Sequence, residues 1–241
     1  MGPLRAGLDR MVSGEESVTN QDLRVSIDHV LVAVADLAEG ARRFQAEYGL
    51  RALGGGRHPG VGTANMIVPL RSEYLELIAV VDAEEAARSP SSERITRALA
   101  EGRTFATWAA RTDQLDAVRE RVLASGLQVP AVFAGSRERP DGVTLRWRTQ
   151  FLAPPGEPSV LPFVIEWHVS PGMHPAEMPV EHPSGAPVIR SLRLGDPDPE
   201  AATDRLRMLL GHVPKVTVER ANTSGVLAVE LDASAGPLII R

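Results

Sequence analysis

The 241-residue chain contains no cysteine. Disulfides, thiolate nucleophiles and thiolate metal ligands are therefore excluded. Any metal site has to be built from His, Asp, Glu or water, a donor set that favours harder divalent ions. There is also no uninterrupted apolar run long enough to read as a membrane-spanning helix. The first 21 residues, "MGPLRAGLDRMVSGEESVTNQ", lack the apolar core of a signal peptide and are expected to form a disordered tail. Together these absences make a cytoplasmic protein without a membrane partner the default expectation. The net charge of −5 leaves no basic footprint for a nucleic-acid partner. No Gly-x-Ser-x-Gly elbow, Walker lysine pattern or dinucleotide fingerprint opening a helix occurs, so hydrolase, phosphate-loop and nicotinamide readings find no support and no organic cofactor is indicated.

What is present is a pattern that returns three times. Residues 25–34, "VSIDHVLVAV", read as a strand, and "DLAEGARRFQAEYG" reads as a helix with Asp36 as its cap and Gly49 as its stop. Leu37, Ala41, Phe44 and Tyr48 share one helical face. A glycine-rich loop, "GGGRHPGVG", and the apolar runs "TANMIVPL" and "EYLELIAVV" follow, with room for another short strand around 50–53. "TFATWAAR", a helix with Leu115, Val118 and Val122 on one face, and three strand candidates repeat the order. "PVIRSLRL", a helix with Ala202, Leu206 and Leu209, and three closing strands repeat it again. The expected fold class is α+β, built of βαβββ modules at an internal repeat. Modules 22–100 and 101–170 should pair as one domain, 171–186 should be an extended Pro-rich linker, and 187–241 a third module that covers an edge or offers a homodimer surface.

Alternation along the strands picks out candidate site residues. In "IDHVLVAV" the β-branched set Val30, Val32 and Val34 suits packing on the helix, which assigns Ile27, His29, Leu31 and Ala33 to a concave face. In "EYLELIAVV" the set Tyr74, Glu76 and Ile78 alternates with an apolar set, so Glu76 is expected on the same concave face. A carboxylate inside such a run needs a metal, a cation or a proton. In "PFVIEWHVS" Glu166 and His168 share a face, and Glu166 is read as a third cavity group. His and carboxylates converging from separate strands suit a divalent metal with open water positions, with a carboxylate shuttling a proton. Competing readings make His29 a satisfied core residue, Glu76 half of an ion pair with Arg57, Arg71 or Arg148, and His168 a solvent-exposed strand end. Trp147 and Trp167 read as core. His58 and Asn65 of the glycine-rich loop are candidates for a polar substrate group at the cavity mouth.

The segments "IDHVLVAVADL", "GGRHPGVGTAN", "YLELIAV" and "PFVIEWH", in that order, resemble the glyoxalase-like branch of the vicinal oxygen chelate superfamily over residues 26–170. The resemblance implies two βαβββ modules in an open barrel around a divalent metal, with His29, Glu76 and Glu166 as ligands and Glu76 or Glu166 doubling as base. Arg57, His58, Asn65 and Tyr74 are the candidate substrate contacts. The family's fourth ligand position falls near Ala106, where no ordinary donor stands. The function implied is metal-assisted isomerase, lyase or dioxygenase chemistry on a small oxygenated metabolite. The alternative is a protein of the same fold that binds or sequesters a small molecule without turnover.

Overall fold

The computed structural model describes residues 23–139, 142–185 and 187–241, so the expected tail over 1–21 lies outside the described residues. The first module runs β1 (Ser26–Ala33), α1 (Leu37–Tyr48), β2 (Leu53–His58), β3 (Thr63–Leu70) and β4 (Glu73–Val80). Two further helices, α2 (Ala83–Ala87) and α3 (Pro90–Ala100), follow it; the strand–helix repeat gave no sign of them. The second module is β5 (Phe105–Arg111), α4 (Leu115–Ala124), β6 (Phe133–Glu138), β7 (Thr144–Phe151) and β8 (Phe163–Trp167). The third is β9 (Val188–Asp196), α5 (Pro199–Leu210), β10 (Val216–Arg220), β11 (Gly225–Ala233) and β12 (Gly236–Ile240).

The first two modules share one sheet in the order β2-β3-β4-β1-β5-β8-β7-β6, and the third forms its own, β10-β9-β11-β12. Within each paired module the first strand lies parallel to the last, and β1 and β5 meet antiparallel at the centre. The far edges of the large sheet curl together: a Cβ on Gly56 of β2 would stand 3.1 Å from the Arg137 side chain of β6. The sheet is thus nearly closed into a barrel. Its outer face packs on the helices through Val30, Val32, Phe44, Leu75, Leu77, Trp108, Val118 and Val122. Its inner face carries a separate apolar set, Leu31, Ala33, Ile78, Ala109, Phe163 and Ile165. Among the described residues no helix is long and apolar enough to cross a membrane.

Two sequence expectations need correction here. Most of the glycine-rich segment is strand: β2 pairs with β3 from Leu53 to His58, leaving only a turn around 59–62. The ladder slips between Gly54 and Gly56, and a Cβ on Gly55 would fall 2.3 Å from the Asn65 carbonyl oxygen, so the glycines permit a close strand approach instead of a loop. The assignment of Ile27 to the concave face also fails. Opposite β5 the register slips between Ile27 and His29, with Asp28 as the extra residue, and this bulge returns Ile27 to the helix-side core.

The Pro-rich segment is a strap, not a free linker. It makes one 3-10 turn at Pro175–Glu177, and Ala176 packs with Ile67 and Tyr74. His182 Nε2 donates to the Pro69 carbonyl at 2.7 Å, which leaves Nδ1 to accept from the Arg51 N–H at 3.0 Å. Ser184 N–H donates to the Gly49 carbonyl at 3.2 Å. Gly49 ends α1 with φ of 63°, and a Cβ there would lie 2.9 Å from the Ser184 nitrogen. Gly49→Ala therefore combines a left-handed backbone with a collision against the strap, and is expected to cost about 1–2 kcal/mol or more by denaturant unfolding. Gly54→Ala, where nothing lies within 4 Å, is the control and should cost far less; equal losses would show that the strap contact carries no weight.

Candidate functional site

The barrel encloses a cavity of about 140 Å³. His29 of β1 and Tyr74, Glu76 and Ile78 of β4 line one wall, with His58, Thr63 and Asn65 from β2 and β3. Phe133, Trp147, Thr149, Phe151, Phe163, Ile165 and Trp167 of the second module line the other. Trp147 and Trp167, expected in the core, are therefore cavity walls, their rings 5.3 Å apart.

The polar centre is a chain of buried groups. His29 Nδ1 lies 2.6 Å from Asp28 Oδ1, and Nε2 lies 3.3 Å from Glu76 Oε2. The bulge makes this possible, since neighbours on a regular strand point to opposite faces. Tyr74 stacks on the imidazole at a centroid distance of 4.4 Å and fixes its plane. The other Asp28 oxygen accepts from Trp167 Nε1 at 3.1 Å and lies 3.0 Å from Nε2 of His174, which the strap carries in, while Arg111 stands 3.8 Å away. Asn65 Nδ2 donates to Glu76 Oε1 at 2.5 Å and its Oδ1 accepts from the Gly56 N–H at 2.9 Å, so the amide holds the carboxylate at a set angle. His58 bonds Thr63 through Nδ1 at 2.9 Å, with Nε2 3.8 Å from Glu76.

Burial opposes charge on every member of this chain, and pairing decides the outcome. For His29 burial favours the neutral ring, but hydrogen bonds and attraction from Asp28 and Glu76 win and raise its pKa to about 9. Burial likewise resists ionisation of Glu76, yet the His29 hydrogen bond and charge hold it down at about 2. Asp28, also opposed by burial, is held well below the carboxylate range by His174 and His29. His58 is pushed down by burial, which Arg137 and His29 reinforce against the pull of Glu76. The centre at neutral pH is an imidazolium between two carboxylates, with a neutral second imidazole beside it.

The other expected site residues fall elsewhere. Glu166 is on the outer face: it accepts from Arg148 Nη1 at 3.0 Å, lies 3.1 Å from His168 Nε2, and is approached by the Leu115 N–H at the start of α4. Its inward neighbours are Phe163, Ile165 and Trp167, so the phase of β8 is the reverse of the one expected. The reason is that Val164 packs into the helix-side core and fixes the phase, while Arg148, opposite Glu166 in the ladder, satisfies the acid at the rim. Arg57 also points outward, toward Asp82 and Glu85, at 3.5 and 3.7 Å. Glu76 pairs with none of Arg57, Arg71 or Arg148. Asp28, His174 and Arg137 were not singled out from sequence. Asp28 did carry a signal, as an acid inside an apolar strand; His174 in the strap carried none.

These positions decide how well a family-type metal would fit. The first module supplies His29 and Glu76, but β5 turns Thr107 and Ala109 inward and β8 turns Phe163, Ile165 and Trp167. Among the described residues no group of three or more His, Cys, Asp or Glu side chains has the arrangement of a metal site. Half of a four-ligand shell is thus replaced by small or apolar side chains, and the residues present do not fit the metal that the resemblance implies.

A hypothetical protein from Staphylococcus aureus has a similar structure, with a TM-score of 0.68 at 15% identity over 84% of this chain and 88% of that one. A Streptomyces coelicolor methylmalonyl-CoA epimerase variant in complex with 2-nitronate-propionyl-CoA gives 0.44 at 20% identity over 59% of this chain and 97% of that one. The Mycobacterium tuberculosis methylmalonyl-CoA epimerase gives 0.43 at 20% over 61% and 89%. No curated protein matches the chain. The family model described as a glyoxalase-like domain matches residues 27–210, most of the sequence. With the paired-module barrel in place around its cavity, the chain belongs to the glyoxalase-like domain family.

Proposed function

We propose that the protein is an isomerase- or lyase-type enzyme that moves a proton next to a carbonyl group of a small oxygenated metabolite. The observation that carries this reading is the buried Asp28–His29–Glu76 chain opening into an apolar cavity. Glu76 is the base: Asn65 holds its Oε1, and its Oε2, 3.3 Å from His29 Nε2, takes a proton from carbon once that imidazolium turns to the substrate oxygen. His29 Nε2–H donates to the carbonyl oxygen and stabilises the developing enolate, in a site where water is largely excluded and such a donor is strong. An oxygen that takes this hydrogen bond also draws the imidazolium away from Glu76, and the carboxylate becomes more basic as substrate arrives. Asp28 orients the ring through Nδ1–H and keeps it charged, and His174 and Trp167 hold Asp28. His58 and Tyr74 are proposed as substrate contacts beside this centre; Glu166, on the outer face, and the exposed Arg57 have no part in it.

A second reading, binding without turnover, is favoured by the aromatic side chains Phe133, Trp147, Phe151, Phe163 and Trp167 that dominate the second module's wall. Phenylpyruvate separates the two, because it pairs exchangeable protons beside a carbonyl with an aromatic body. In deuterated buffer the protein is expected to accelerate exchange at its methylene carbon, followed by NMR. Glu76→Gln should lower the catalysed rate by about 100-fold or more. Binding with no acceleration would favour sequestration. Added Mn²⁺, Ni²⁺ or Zn²⁺ should change neither the rate nor the melting temperature; a metal-dependent gain in exchange would restore the metal-assisted mechanism.

The charge on His29 has its own signature. Its folded pKa of about 9 lies above the ordinary 6.5, so its contribution to stability is complete below 6.5 and is lost as pH rises toward 9. The melting temperature should therefore fall across that interval, and His29→Gln should flatten the fall. An unchanged slope in the variant would show that the imidazolium is not the group responsible.

A further inference from the structure

Arg137 is the one buried residue among the six of β6, with 4% of its surface exposed. It lines the same cavity as His29 and Glu76. Among the described residues its guanidinium has no hydrogen-bond or ion-pair partner, and no fully enclosed side-chain nitrogen or oxygen lacks one, so its nitrogens are those that open into the cavity. The other charges nearby are engaged. His29 answers Asp28 and Glu76 at 2.6 and 3.3 Å, Arg111 stands 3.8 Å from Asp28, and Arg94 bonds the Ala153 carbonyl and lies over the Phe151 ring. A buried guanidinium with no direct partner is costly, since Glu76 attracts it only from beyond ion-pair distance, and a bound anion removes that cost with two parallel charge-assisted hydrogen bonds.

Building on the proton-transfer reading, we infer that the substrate is a monocarboxylic acid with an apolar or aromatic body, its carboxylate held by Arg137. One unmatched cation calls for one negative charge. A dianion such as a phosphate ester would place its second charge in a cavity that already holds the Glu76 carboxylate. Phe133, Trp147 and Phe163 offer aromatic faces to the body of the acid. The carboxylate at Arg137 and the carbonyl at His29 give the molecule two fixed points, which present the carbon beside the carbonyl to Glu76.

The test is calorimetric binding of 3-phenylpropionate, which carries no exchangeable proton beside a ketone and so does not depend on catalysis. The acid is expected to bind the full-length protein, and its neutral amide roughly 10- to 100-fold more weakly. Arg137→Met should erase that difference, and Arg137→Lys should restore part of it, with thermal melting confirming that both variants fold. Absence of acid binding, equal binding of acid and amide, acid binding undiminished in Arg137→Met, or stronger binding of phenyl phosphate would each overturn the inference. Carboxylate binding without any proton exchange would sink the enzymatic reading and leave the anchor standing.

Discussion

The Asp28 carboxylate is the constraint around which this site is organised. It is fully buried, and two of its contacts come from parts of the chain 139 and 146 residues away, Trp167 and His174. A buried carboxylate that loses its donors is among the most destabilising defects a core can carry. The first strand, the last strand of the second module and the strap must therefore all arrive in register before Asp28 is satisfied. Its reward to function is indirect: it turns His29 from a neutral ring into a cation and aims Nε2 at Glu76.

The two modules share a fold and divide the labour. Module one carries the buried His29 and Glu76 of the cavity, and module two contributes aromatic walls and one arginine. In the metal site that the resemblance implies, both halves hold one ion. Here the charges face each other directly, with an imidazolium standing between Asp28 and Glu76 where a shared cation would otherwise be needed. The asymmetry is written in the second module's inward residues, Thr107, Ala109, Ile165 and Trp167.

Much of this was legible in the sequence, and the parts that were not have physical reasons. Periodicity gave the α+β class and its recurring strand–helix–strand order, because strand and helix faces in a barrel of this kind have to alternate cleanly. The same alternation assigned His29 and Glu76 to one wall. It fails at Asp28, where one extra residue resets the phase, and at Glu166, whose polarity suggests function although Arg148 satisfies the acid at the rim. Gly55 and its neighbours look like a loop on paper because their role, letting β2 lie close against Asn65, depends on a strand far from them in sequence. Arg137 gave no local signal at all: its meaning lies in the partner it lacks, and only a packed structure shows that.

The strap has a consequence for the order in which the protein is made. Because His174 and Trp167 are among the last parts of the barrel to be synthesised, the nascent first module leaves the ribosome with an acid in its central strand and no donors for it. That module has a strong reason to stay loosely formed until its counterpart emerges, and contacts of such long sequence separation are slow to close. The buried Asp28–His29–Glu76 chain is then complete only when the whole barrel and its strap are in place.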